Sequence, residues 1–216
     1  MTTDAATSFR SVAGRLGRAT LLLALSLSAA ACRSDGGAET SAAYPPILSS
    51  TFGEMRNVSV VGPIWFGTLP SAKDLDLAKR RGVLRVIDLS SPAEIAAAET
   101  PDYSRECLRL RLEYIAGAIQ TEDPQSDDSV DLVLEWLSPP EGGEGSCPPT
   151  LMFDGSGGRC ATYLAIHRAV EYDVPLEVAL VEARRAGMKP GAPADFVRAQ
   201  VARIKGEPID PVESPE

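Results

Sequence analysis

The sequence predicts one α/β domain with a central, mostly parallel sheet flanked by helices. Short apolar segments rich in β-branched residues alternate along the chain with longer segments of helical spacing, which is typical of parallel strands joined by helices. The chain has 216 residues, of which 44% are hydrophobic. This length and composition suit a single domain with a full core and are too small for two.

Four strands are predicted where apolar runs lie between turn or breaker residues. The first two runs are separated by Gly62-Pro63, a turn signal. The third run is apolar at most positions, as expected for a strand that is buried on both faces. The predicted strands are Val58–Val61, Ile64–Phe66, Val83–Leu89 and Thr150–Phe153.

Six helices are predicted from apolar residues at helical spacing and from capping or breaking residues. Ser71 is suited to cap the first helix and Gly82 to end it, while Pro92 suits the first turn of the second. The predicted helices lie between Ser71 and Gly82, at Pro92–Glu99, at Asp127–Leu137, from about Arg159 onward, at Pro175–Ala186 and at Ala192–Ile204.

The segment between Leu108 and Ile115 allows two interpretations. Its first five residues alternate apolar with charged side chains, which fits a half-exposed strand. A helix that passes into a strand is the alternative, and the sequence leaves both open.

Residues 1–31 are predicted to be a secretory signal peptide. Three arginines precede an uncharged, Leu- and Ala-rich run, residues 19–31, which is shorter than the roughly 20 apolar residues of a spanning helix. The break at Cys32 resembles a bacterial lipoprotein signal, in which the cysteine is lipidated. Ala29 departs from that pattern, since a leucine usually stands three residues before the cysteine. Ordinary secretion with cleavage nearby is the alternative.

The predicted domain organisation follows from these boundaries. Residues 32–45 are predicted to be a flexible tether, residues 46–205 the folded domain, and residues 206–216 a disordered, Pro- and acid-rich tail. With Cys32 lipidated, we expect the protein at the bacterial cell envelope. A lipid anchor would hold it there, facing the periplasm or the exterior.

Charge and residue counts limit the classes of function. The net charge is −9, which argues against a nucleic-acid partner because no basic patch is available to neutralise backbone phosphates. A histidine metal site or a Ser-His-Asp triad would have to include His167, the one histidine. We expect no metal and no cofactor. A disulfide between two of Cys107, Cys147 and Cys160 stays open.

The segment between the last predicted strand and the helix near Arg159 carries the functional prediction. Glycines let consecutive backbone N–H groups point into one concavity, and a helix start adds unpaired donors and a partial positive charge. Arg159 adds a planar cation suited to bidentate contact with an oxyanion. A tight turn that binds nothing is the alternative. The predicted anion-binding residues are Gly155, Ser156, Gly157, Gly158 and Arg159.

The segment Leu151–Arg159 resembles the phosphate-binding loop of the protein tyrosine and dual-specificity phosphatase superfamily. It is closest to small bacterial members whose loop reads His-Cys-x-x-Gly-x-Arg. Trp65–Pro70 and Gly82–Leu89 resemble the early helix-and-strand segment of that family, and Pro175–Met188 resembles its late helix. The resemblance implies a tyrosine-phosphatase-like fold for the domain.

In that family a cysteine thiolate attacks phosphorus, and loop amides and the arginine bind the phosphate oxygens. A hydroxyl residue after the arginine steadies the thiolate, and an aspartate on another loop protonates the leaving group. The resemblance places Asp154 at the nucleophile position and Cys160 at the hydroxyl position, with Asp123 as the general-acid candidate. We expect the Asp154 carboxylate to accept loop N–H bonds, to pair with Arg159 and to repel a phosphate dianion.

The resemblance therefore implies a phosphatase-like domain that is inactive and acts as an anion-binding or scaffolding module of an envelope lipoprotein. The expected partner is a phosphate-bearing ligand or a protein. One alternative is an active phosphatase with Asp154 or Cys160 as an atypical nucleophile, since a thiol at a helix start tends to have a low pKa. Cys160 could instead be a small buried apolar residue or a disulfide partner. A purely structural domain is the remaining alternative for the function of the chain.

Overall fold

The computed structural model describes residues 45–116, 126–138 and 147–208, all of which belong to one compact unit, Ala42–Glu216. The predicted signal peptide, Cys32 and nearly all of the predicted tether lie outside the described residues, as do Asp123 and residues 209–216. The strands are β1 (Leu48–Ser49), β2 (Ser59–Val61), β3 (Ile64–Gly67), β4 (Arg85–Asp88), β5 (Glu113–Ala116) and β6 (Thr150–Phe153). The helices are α1 (Ala72–Arg80), α2 (Pro92–Ala97), α3 (Tyr103–Leu110), α4 (Asp127–Leu137), α5 (Gly158–Glu171), α6 (Leu176–Arg185) and α7 (Ala192–Lys205).

The strands form a single sheet in the order β1-β2-β3-β6-β4-β5. β3, β6, β4 and β5 are parallel neighbours, and β1 and β2 add an antiparallel edge to β3. This arrangement confirms the predicted fold class. The registers align Phe153, the last residue of β6, with Gly67 of β3 and Asp88 of β4. The loops that follow these three strands therefore meet at one edge of the sheet, where ligands bind in open α/β folds.

Each face of the sheet carries its own hydrophobic core, because successive side chains of a strand point to opposite faces. Leu151 and Phe153 pack with apolar residues of α1 and α3, whereas Met152 between them packs with α4, α5, α6 and α7. Helix α5 contacts β3, α4, α6 and α7 and is buried along most of its length. This burial fixes the helix whose first turn borders the candidate site.

The six predicted helices are present, and the predicted turn at Gly62-Pro63 joins β2 and β3, which pair as an antiparallel hairpin. Ser71 caps α1 in a capping box with Asp74, in which each side chain accepts the backbone N–H of the other residue. The segment between Leu108 and Ile115 is a helix that passes into a strand, the second of the two alternatives that the sequence left open. Its alternation reflects the exposed surface of α3, where Leu108 is 79% exposed, and the strand begins at Glu113. None of the described helices has the length and apolar character needed to cross a bilayer.

Candidate anion-binding site

The loop between β6 and α5 lies at the sheet edge defined above and ends in a left-handed glycine. Gly157 is the N-cap of α5 with φ of 83° and no side-chain cap of its own. A Cβ atom built on Gly157 would lie 3.3 Å from the Gly67 backbone. The positive φ strains any other residue, and the close contact with the end of β3 adds to the preference for glycine here. Asn57 supports the loop from the other side, since its side-chain amide donates to the Ser156 carbonyl at 3.3 Å.

The Asp154 carboxylate occupies the concavity of this loop. Oδ1 accepts the backbone N–H groups of Ser156 at 2.7 Å and Gly157 at 2.8 Å, together with the Ser156 hydroxyl at 3.1 Å. Oδ2 accepts the backbone N–H of Cys160 at 2.9 Å. The residue is 1% exposed. As predicted, the carboxylate accepts hydrogen bonds from backbone N–H groups that would otherwise be available to an external anion.

These bonds explain how a buried charge is tolerated at this point. The first N–H groups of a helix have no intrahelical partner, and the helix start carries a partial positive charge. A carboxylate that accepts several N–H bonds there is compensated for its loss of hydration. Two loop amides, those of Gly155 and Arg159, donate to no other described residue.

Arg159 pairs with Glu94, and the prediction that it would pair with Asp154 is wrong. Its Nη1 donates to Glu94 Oε2 at 3.0 Å and to the Leu89 carbonyl at 2.6 Å. Glu94 also accepts the backbone N–H of Ser91, the N-cap of α2. The backbone amides already satisfy Asp154, so the guanidinium takes the carboxylate on the neighbouring short helix instead.

The pKa values of this pair reflect their contact. Burial favours the neutral form of Glu94, but the hydrogen bonds from Ser91 and Arg159 outweigh it and lower the pKa below its ordinary value. Burial likewise opposes the charge on Arg159. The carboxylate of Glu94 and, more weakly, the charge of Asp154 raise the pKa of the arginine overall. Both side chains are about a quarter to a third exposed, which leaves the pair accessible to a ligand.

Cys160 does not have the low thiol pKa that its place at a helix start suggested. Its side chain is fully buried, and burial is the largest cause of a pKa well above the ordinary value. The negative charge of Asp154 raises the pKa further. The interpretation as a small buried residue is the one the structure supports. Cys107, Cys147 and Cys160 are buried free thiols, so the structure contains no disulfide among them.

A cavity of about 260 Å³ opens beside the loop. Its lining includes the predicted residues Asp154, Ser156, Gly158 and Arg159, whereas Gly157 does not line it and Gly155 faces Glu94. The rest of the lining comes from residues that the sequence alone did not identify: Glu94, Thr162, Tyr163, Lys189, Pro193 and Phe196. Phe196 and Lys189 belong to the segment that follows α6, which carries no local motif, so only the tertiary fold brings them to the loop. Among the described residues, no three Asp, Glu, His or Cys side chains are placed to share a metal ion.

Comparison with solved structures identifies the class of fold, which is that of the protein tyrosine and dual-specificity phosphatases. A mutant form of Tk-PTP is 24% identical, with a TM-score of 0.53 over 68% of this chain and 94% of that chain. TpbA from P. aeruginosa is 19% identical, with a TM-score of 0.54 over 77% and 94%. Kinase associated phosphatase, with serine replacing its catalytic-site cysteine, is 14% identical, with a TM-score of 0.55 over 67% and 88%. No family model and no curated protein matches the chain.

Proposed function

We propose that this chain is a phosphatase-like module of an envelope lipoprotein, inactive as a cysteine-dependent phosphatase, that binds an anionic ligand or an anionic group of a protein partner. The cavity beside the loop, whose lining includes Arg159 and Lys189, supports the binding of an anionic group. The observation that carries the inactivity is the Asp154 carboxylate in the loop. It accepts three backbone N–H groups at 2.7–2.9 Å, so the chain itself supplies the anion that the loop would otherwise bind.

The position of Asp154 supports inactivity in two ways. In the resembled family a cysteine stands where Asp154 stands here, and a carboxylate cannot perform its thiolate chemistry. Both carboxylate oxygens also accept hydrogen bonds from the loop, which lowers their availability for attack on phosphorus. The negative charge repels an incoming phosphate dianion as well.

Cys160 is poorly suited to replace the missing nucleophile. Attack requires a thiolate, and the raised pKa of this buried thiol keeps it protonated at neutral pH. An enzyme with an atypical nucleophile therefore has less support than a binding module.

The envelope location in this proposal rests on the sequence. A basic start, a short apolar run and Cys32 after small residues support a lipid anchor, with residues 32–45 as a tether to the domain. The corresponding test is metabolic labelling of the chain with a fatty acid in a bacterial host. Loss of label in Cys32→Ser would support the anchor, and label retained in that variant would contradict it.

Hydrolysis of para-nitrophenyl phosphate tests the inactivity. We expect no turnover by the natural chain and measurable turnover by Asp154→Cys, because a thiolate would then lie among the loop amides and next to Arg159. Arg159→Ala in the Asp154→Cys background should abolish it. Turnover by the natural chain that is lost on Arg159→Ala would overturn the proposal and identify an enzyme with a new nucleophile.

A further inference from the structure

The cavity beside the loop combines two charged residues of each sign with an aromatic wall. Glu94 and Asp154 are the acids, and Arg159 and Lys189 are the bases. Phe196 supplies the aromatic surface of the lining, and it packs edge-on against the buried Tyr163, with ring centroids 6.5 Å apart and an interplanar angle of 77°. The volume of about 260 Å³ is small for a drug-sized molecule and suits a ligand with a single ring.

The four charges are not equally available to a ligand. Glu94 and Arg159 neutralise each other at 3.0 Å. The Asp154 carboxylate is compensated by backbone N–H groups at the start of α5. Lys189 is exposed and forms no ion pair with any residue in the described ranges. One cation therefore lacks a partner of opposite charge in this cavity.

We propose that the cavity binds an aromatic ligand that carries a single negative charge, such as an aryl sulfate or an aryl carboxylate. Lys189 and the free donors of Arg159 hold the charged group, and Phe196, packed against the buried Tyr163, contacts the ring. This inference rests on the proposed binding function and specifies its ligand class.

A phosphate monoester dianion fits the same space but not the same charges. The free-energy cost of removing an ion from water grows with the square of its charge, so a second negative charge needs far more compensation than the first. The cavity offers one unpaired cation, and Asp154 and Glu94 repel the additional charge. The site therefore selects for a single charge on the ligand.

Two esters that share a ring and a tetrahedral headgroup separate the effect of charge from that of shape. Para-nitrophenyl sulfate is a monoanion at neutral pH, and para-nitrophenyl phosphate is a dianion. We expect calorimetric titration of the full-length chain to give at least about tenfold tighter binding of the sulfate. Asp154→Asn removes one negative charge at constant shape and should narrow that preference.

Lys189→Met is the decisive variant, since Lys189 is exposed and its replacement leaves the core intact. We expect it to weaken binding of the sulfate about tenfold, the size of one charge-assisted contact. Lys73→Met is the matched control, because Lys73 lies on α1, is 84% exposed and does not line this cavity. It should leave the affinity unchanged.

Each outcome has a separate meaning. No binding of either ester, equal or tighter binding of the phosphate, or unchanged sulfate affinity in Lys189→Met would refute the inference about the ligand class. Hydrolysis of para-nitrophenyl phosphate by the natural chain would instead refute the proposed inactivity. The two proposals therefore fail by different results.

Discussion

Replacement of Asp154 by alanine should destabilise the fold in a way that an added anion can reverse. The substitution leaves the backbone N–H groups of Ser156, Gly157 and Cys160 without their acceptor. A net contribution of about 1 kcal/mol for each bond, more for a charged acceptor, gives a loss of about 3 kcal/mol after water re-solvates part of the loop. For a domain of this size that is a decrease of roughly 6–12 °C in Tm.

Sulfate should restore much of that loss in Asp154→Ala. The vacated concavity keeps its amides and the helix start, so a tetrahedral anion can bind where the carboxylate lay. A ligand at a hundred times its Kd stabilises the folded state by about 2.7 kcal/mol. The measurement is urea unfolding followed by circular dichroism, for the natural chain and the variant, with and without sodium sulfate. Sulfate also strengthens folded proteins in general, so the relevant quantity is the extra stabilisation of the variant.

Asp154→Asn is the control for the charge. Its oxygen can still accept from Ser156 and Gly157, while its amide nitrogen faces the N–H of Cys160 and loses that bond. We expect a smaller loss of about 1–2 kcal/mol and weaker rescue by sulfate. Two results would refute the assignment of the carboxylate as the anion of the loop. One is that sulfate raises the free energy of unfolding equally in the natural chain and in Asp154→Ala. The other is that Asp154→Ala lowers the free energy of unfolding by less than about 1 kcal/mol.

Three further predictions concern the same domain. Burial lowers the pKa of His167 to about 4. Its contribution to stability is therefore present above the unfolded pKa near 6.5 and is lost as the pH falls toward 4. Urea unfolding should show that the free energy of unfolding decreases by about 3 kcal/mol over this range, and His167→Gln should lack that decrease. Glu94→Gln should free Arg159 and tighten binding of para-nitrophenyl sulfate in calorimetry, and unchanged affinity would contradict competition between Glu94 and the ligand. Gly157→Ala should destabilise the fold by about 2 kcal/mol or more in thermal melts, against about 1 kcal/mol for Gly82→Ala. Both glycines have positive φ, but only Gly157 also lies against the Gly67 backbone. Equal losses of stability in the two variants would show that this contact contributes nothing.

Local patterns were sufficient to predict the architecture that creates this site. The strand at Thr150–Phe153, the glycines after it and the buried helix that follows are all encoded within one short stretch of sequence. The bonds from Ser156, Gly157 and Cys160 to Asp154 span no more than six residues, so the spacing alone implies them. Prediction succeeded where the interacting groups are neighbours in the chain.

The partners of Arg159 could not be predicted in this way. Glu94 lies 65 residues before it in the sequence, and its own signal is the capping box with Ser91 that begins α2. The position of α2 over the loop depends on the parallel register of β4 and β6, which aligns Asp88 with Phe153. A local pattern predicts α2, but the register of β4 and β6 determines which residue of α2 lies next to Arg159.

This difference changes the charge balance of the site. Amides, a helix start and an arginine together suggest a strongly positive concavity suited to a dianion. Here Asp154 compensates the amides from within the loop, and Glu94 compensates Arg159 from the neighbouring helix. The positive charge that remains on the cavity wall belongs to Lys189, which lies outside the loop motif. The ligand class is therefore set by two acids and a lysine around the loop, and a chain with the same glycines and arginine but without these acids would favour phosphate.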